Sequence, residues 1–325
     1  MRRTASPLSL TLLGLGVFLL VLAPMLSWYV TPRAKVNPID IDATTIFTGK
    51  GSYFDTGEVK TLTGQDLTIT RKVRGAVAES EKAGAAIWDV STSVDHEGTL
   101  PAEDPKDSLQ WTLERWVTDR KTNRPVHCCK EKPYIEGEAF LKMPFDVKPR
   151  SYRLWDSTAG QTVVLEYKGK KKIQGYEGMH FAGKIDKKDA IKTGTRQVPG
   201  VLVGSKAGGQ VMAEEWYSNH AIELVADQRT GRVIYAQTGP RKTLRAPGAS
   251  ADGEVVLLES EKIAFTTETQ ETQVKLAKDG TKLLKLVSET LPIGGGGAGL
   301  ALTVTGGFLV VRGRDRSSTQ EPSTM

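Results

Sequence analysis

Residues 222–235 read IELVADQRTGRVIY. Ile222 and Leu224 lead into Asp227-Gln-Arg-Thr-Gly231, and Val233 and Tyr235 resume the apolar pattern after it. Two β-favouring runs joined by a polar segment that ends in glycine predict a β-hairpin with a five-residue loop. The same signature extends outward on both sides. Short segments rich in Val, Ile, Thr, Tyr and Trp fall at 61–74, 85–93, 109–117, 134–143, 152–154, 162–167 and 178–181. Others follow at 211–216, 221–225, 234–237, 255–258 and 263–267. Asp156-Ser-Thr-Ala-Gly160 supplies a further turn. The pattern predicts a mainly β chain, with a large antiparallel β-rich domain built as a barrel or a sandwich.

Further out, two uncharged apolar stretches flank this region, at 8–30 and 291–311. Each is long enough to cross a hydrocarbon core of about 30 Å, which takes roughly 20 helical residues. Arg2 and Arg3 precede the first, and Arg312, Arg314 and Arg316 follow the second. Arginine favours the cytoplasmic side, so both tails are expected inside the cell membrane and the β-rich region outside it. A basic start and an apolar middle also describe a secretory signal peptide. The run continues past Pro24 through Leu26, Trp28 and Tyr29 without a small-x-small cleavage site before Thr31, which favours an uncleaved anchor. The expected organisation is a cytoplasmic tail over 1–7, a transmembrane helix over 8–30 and an extracytoplasmic β-rich domain over 31–267. A juxtamembrane helical segment over 268–290, broken near Gly280, leads to a second transmembrane helix over 291–311 and a tail over 312–325. Glycines crowd the second span. Gly295 and Gly299 have small-xxx-small spacing, and Gly14 and Gly16 could oppose them in a packed helical hairpin.

The 325 residues carry 39% hydrophobic and 25% charged side chains, normal for a folded domain. Much of the net charge of +6 sits in the arginine-bearing tails, so the intervening region lacks the footprint of a nucleic-acid binder. Lys168, Lys170, Lys171 and Lys172 form a local basic cluster, read as a solvated hairpin tip. Two cysteines, Cys128 and Cys129, are adjacent, which excludes a disulfide framework. Neighbouring Cα atoms lie about 3.8 Å apart, below the usual disulfide range. Free thiols are therefore the first reading, a vicinal disulfide the second and intermolecular pairing the third.

Catalytic signatures are sparse. No HExxH, GxSxG or phosphate-loop pattern occurs, and Lys50-Gly51-Ser52 lacks the glycine such a loop needs upstream. Of His96, His127, His180 and His220, only His96 is flanked by two acids, Asp95 and Glu97, and the polar Gly98 context reads as a solvated loop. His127 would pair with Cys128 only if the fold brought the two side chains together. No catalytic residue, metal site or cofactor is expected, and the chain is read as non-enzymatic. Phe145, Tyr152 and Trp155, with Pro144 and Asp156, are the candidates for lining a ligand groove. Aromatic residues at strand ends more often fix a junction in the core, and Trp111, Trp116, Trp216 and Tyr217 are read likewise as core or interface.

The stretch FLKMPFDVKPRSYRLWDSTAGQTVVLEYKGKKKIQGYEGMHF, residues 140–181, carries Met143-Pro144-Phe145-Asp146, Tyr152 and Trp155-Asp156. With residues 69–90 and 216–231 it resembles the actinobacterial envelope family named PorA, and the likeness extends over nearly the whole chain. The resemblance implies an envelope protein with two anchors and brings no catalytic residues. The layout is also similar to that of class B scavenger receptors, which implies by fold-level analogy a lipid-handling outer domain with an internal tunnel. The expected function is binding or transfer of a lipid or other apolar envelope ligand. The alternatives are a scaffold in an envelope assembly, which would meet other envelope proteins, and a channel subunit as the family name suggests.

Overall fold

The computed structural model describes residues 6–100, 104–205, 209–251 and 253–318. It opens with helices α1 (Pro7–Met25) and α2 (Thr31–Ala34), joined by a π turn, Leu26–Val30. Strands β1 (Asp42–Asp55) and β2 (Lys60–Gly75) precede helix α3 (Val77–Ala83), then β3 (Ala86–His96) and β4 (Gln110–Thr118). After a long irregular segment come β5 (Tyr152–Asp156), β6 (Gln161–Ile173), β7 (Tyr176–Ile185), β8 (Ile191–Pro199) and β9 (Gln210–Ala226). The remaining strands are β10 (Val233–Thr238), β11 (Pro240–Arg245), β12 (Val255–Glu259) and β13 (Ile263–Phe265). Helix α4 (Thr267–Lys285), a second π turn (Leu286–Thr290) and helix α5 (Leu291–Ser318) follow. The chain divides into two compact units, Asn37–Lys278 and the paired ends Met1–Val36 with Asp279–Met325.

The expected hairpin forms. Ala226 pairs with Val233, and Asp227 caps the turn by accepting the Thr230 N–H at 2.7 Å. Among the described residues, thirteen antiparallel strands form one sheet, in the order β4-β3-β2-β1-β12-β11-β9-β7-β6-β5, with β8, β10 and β13 paired off this path. The mainly β expectation holds, but the architecture is neither a two-sheet sandwich nor a barrel closed by main-chain bonds. The sheet curls until its edges approach. Ser157, just past β5, donates to Glu114 on β4 at 2.9 Å. Trp155 on β5 shares one apolar cluster with Trp88 and Trp116 on β3 and β4.

Several local expectations need correction. Residues 134–143 do not form a strand. Ile135, Gly137, Ala139, Phe140 and Met143 are buried, which breaks a strand's alternation after Ala139, and Gly137 has a positive φ. The main chain there bonds outward instead, with the Met143 N–H donating to Gly231 O at 2.7 Å. The segments at 211–216 and 221–225 are one strand, β9. β1, β8, β11 and α3 were not foreseen; Gly49 and Gly51 interrupt the apolar run of β1. A side chain on Gly49 would strike the backbone of Lys262. Cys128 and Cys129 form a vicinal disulfide, which overturns the free-thiol reading. Cys129 adopts a φ of 62°, and the pair packs on Ala85, Ile87 and Val117.

Helix α4 is not broken at Gly280. Thr266 caps its start by accepting the Thr269 N–H at 3.2 Å. Val274 and Ala277 bury against Val225, Ile234 and Tyr235 of the sheet. The irregularity falls later, in the π turn over Leu286–Thr290. Both π turns end two residues before a proline, Pro32 and Pro292. Proline lacks an N–H and crowds the carbonyl four residues back, and a widened turn relieves both problems.

The two apolar helices, α1 and α5, are long and apolar enough to cross a membrane, and they pack on each other through glycines. A Cβ on Gly299 would lie 2.9 Å from Gly16 O, and one on Gly306 would lie 2.6 Å from Leu13 N. Gly16 fits beneath Thr303. The expected contacts of Gly14 and Gly295 do not occur, because a Cβ on either meets nothing within 4 Å.

Candidate functional site

Inside the curled sheet lies a cavity of about 360 Å³. Cross-strand register builds one wall. Phe47, Ile69, Val94 and Gln110 stand opposite one another across β1 to β4, followed by a row of Thr45, Arg71, Thr92 and Thr112. Residues two apart in a strand share a face, so Arg71 sits among the inward positions Leu67, Ile69 and Val73. The opposite wall comes from Leu154, Trp155 and Asp156 on β5, with Tyr217, Asn219, Ile222 and Leu224 on β9.

Polar side chains form a connected network on that second wall. Asp156 Oδ1 accepts the backbone N–H groups of Thr158 and Ala159, each at 3.0 Å. Its Oδ2 accepts the Tyr217 hydroxyl at 3.1 Å. Asn219 donates to the Tyr217 oxygen at 3.1 Å and to Thr238 at 2.8 Å. Burial raises the Asp156 carboxyl pKa, and the Ala159, Tyr217 and Thr158 bonds only partly oppose it. Burial likewise raises Glu114, against hydrogen bonds from Ser157 and Trp116 and the charge of Arg71. The Tyr217 phenol is pushed well above its ordinary value by burial, with the Asp156 charge adding to it.

Arg71 on β2 and Glu114 on β4 are the charged groups of the first wall. The Arg71 Nε donates to Thr92 Oγ1 at 3.3 Å. Burial lowers the Arg71 pKa, while Glu114 and Asp156 work the other way. The part of Arg71 that stays accessible therefore borders interior space. Lys242, the other lining cation, is paired with Glu215 at 2.8 Å. A second cavity of about 400 Å³, lined in part by Tyr53 and His96, shares Val94, Gln110, Lys242 and Leu258 with the first.

The sequence candidates separate. Trp155 and Asp156 line the cavity. Tyr152 does not; it is core, edge-on to Phe181 at 5.4 Å, with its hydroxyl accepting the Lys148 N–H at 2.9 Å. Phe145 lies outside the cavity, beneath the Lys142 ammonium at 3.7 Å. His96 stacks on Tyr53, and His127 stacks on Tyr134 and bonds Glu131 at 2.8 Å. His180 and His220 lie 3.4 Å and 3.1 Å from Glu223 and Glu261. Among the described residues, no group of three or more His, Cys, Asp or Glu side chains could hold a metal ion. Arg71 and Glu114 were missed from sequence. The available signal was alternation: a cation on the apolar face of β2.

A family model described as Porin PorA matches residues 8–308. No curated protein matches the chain. The matched span contains every residue of the cavity wall and nearly all of both apolar stretches, so the chain belongs to the PorA family.

Proposed function

We propose that this is a non-enzymatic, membrane-anchored protein of the cell envelope that binds or transfers a lipid-like ligand in its outer domain. The observation that carries it is the cavity inside the curled sheet, walled by Phe47, Ile69, Leu154, Ile222 and Leu224 at apolar positions and by Arg71 and Asp156 at polar ones. A mixed wall suits an amphipathic ligand better than a wholly apolar one. About 360 Å³ is near the low end for ligand pockets, roughly 300–1,000 Å³, which favours a single chain over a two-chain phospholipid. Each buried methylene contributes about 0.8 kcal/mol, so a short chain suffices for retention. Helices α1 and α5 would anchor the protein, with the arginine-bearing tails in the cytoplasm.

The family description favours a second reading, a channel subunit. A porin faces lipid with an apolar outer band on its strands. Here β6 directs Glu166, Lys168, Lys170 and Lys172 to solvent, each exposed, so this strand does not suit a lipid-facing wall. Native mass spectrometry of the full chain, purified in uncharged detergent, tests the ligand reading. A defined small amphiphile at one per chain is expected. A ligand-free chain that gives discrete conductance steps in planar bilayers would replace it with the channel reading.

A further inference from the structure

We infer that Arg71 is the head-group receptor of this cavity, and that the ligand is a single-chain amphiphile ending in a carboxylate or phosphate. The inference rests on the cavity being a ligand site.

Arg71 is held inward by strand register, between Thr45 and Thr92. Only its Nε is spent, on Thr92. Among the described residues, neither terminal nitrogen of the guanidinium has an acceptor, and no carboxylate stands within ion-pair distance. The two nearest acids are engaged elsewhere. Asp156 takes two backbone N–H groups and the Tyr217 hydroxyl. Glu114 Oε2 takes Ser157 at 2.9 Å and the Trp116 indole at 3.1 Å. Lys242 is neutralised by Glu215. The cavity thus presents one cation without a hydrogen-bonded acid: its guanidinium carbon lies 5.7 Å over the Phe47 ring, and Glu114 and Asp156 act on it only through their charge.

Trp155 lines this cavity and is 7% exposed, and its buried indole N–H has no acceptor among the described residues. Buried charges and buried donors are costly unless paired. A guanidinium fork matches the two oxygens of a carboxylate or phosphate, and such charge-assisted bonds are the strong ones. Phe47, Ile69, Leu224 and Leu258 supply the apolar surface for the chain behind the head group.

The test uses the full chain in nanodiscs of uncharged lipid, titrated calorimetrically with octanoate, octyl phosphate, octanol, acetate and inorganic phosphate. Octanoate or octyl phosphate is expected to bind at least about tenfold more tightly than octanol. Arg71→Met should abolish that preference and leave octanol unchanged. Arg71→Lys should keep only part of that preference, since it retains the charge and loses the planar fork. If Arg71→Met does not fold, the wild-type comparison and Arg71→Lys still decide. Equal binding of octanoate, octyl phosphate and octanol would overturn the head-group inference and leave the cavity reading standing. Binding of none of the three would overturn the cavity reading itself. Acetate or phosphate binding as tightly as its octyl counterpart would assign the site to a free anion and overturn the amphiphile.

Discussion

Glu254 and Arg71 are two buried charges with opposite fates. The Glu254 side chain is 5% exposed and receives Arg245 at 2.9 Å, Thr243 at 3.0 Å and Arg241. Burial works to raise its pKa, but these donors outweigh it and hold the carboxyl at about 2. A depressed acid stabilises the fold above its unfolded pKa, and that contribution is lost as pH falls through the folded value. Glu254→Gln should therefore cost on the order of 3 kcal/mol at pH 7. The difference from wild type should shrink between about pH 4.5 and 2 in chemical denaturation, and a gap that persists at pH 2 would refute the charge argument. Arg71 lacks such partners, and its oddity was legible: in Leu67, Ile69, Arg71, Val73 it breaks an apolar alternation. Asp156 was legible as a turn opener and a groove-lining candidate, but its bond to Tyr217 was not. Its partner Tyr217 comes from β9, and no local pattern connects them.

At the scale of elements, the strands whose apolar residues alternate or cluster could be read, and those diluted by glycine or charge could not. β1 was lost to Gly49 and Gly51, which are there because another backbone passes close by, a tertiary cause. The apolar helices were legible by length and composition, and their contact only in part. Gly16 and Gly299 pack, whereas Gly14 and Gly295 face open space, because helix rotation is set by the partner. This separates two substitutions of one residue type in one helix. Gly299→Ile should split the α1–α5 pair, seen as loss of a disulfide introduced between the helices by cysteine substitution at Ala23 and Gly296, where a Cβ on Gly296 would lie 3.7 Å from the Ala23 Cβ. Gly295→Ala should leave that cross-link intact and, from helix propensity, stabilise α5 by up to about 1 kcal/mol. Equal cross-linking in both variants would show that the close approach at Gly299 does not hold the pair together.

For the whole molecule, the curl of the sheet is the property furthest from the sequence. β1 to β4 pair with their sequence neighbours, so that part follows from local hairpins. The closure then depends on β1 meeting β12 and β13 near the other end of the chain, and on Ser157 reaching Glu114. Such non-local pairings leave no periodic trace, which is why the sequence left barrel and sandwich open and did not point to a curled sheet. The placement of the domain relative to a membrane rests on a different argument, the arginines beyond each apolar stretch. It can be tested without further structure. Cys128 and Cys129 are bonded to each other and so do not react with a maleimide. Single cysteines introduced at Gln161, which is exposed, and at Ser317 would then be the reactive thiols. A membrane-impermeant maleimide added to intact cells should label Gln161→Cys and reach Ser317→Cys only after lysis. Labelling of Ser317→Cys in intact cells would remove the basis for two cytoplasmic tails. Labelling of Gln161→Cys only after lysis would move the cavity to the cytoplasmic side, where an envelope ligand could not be its cargo.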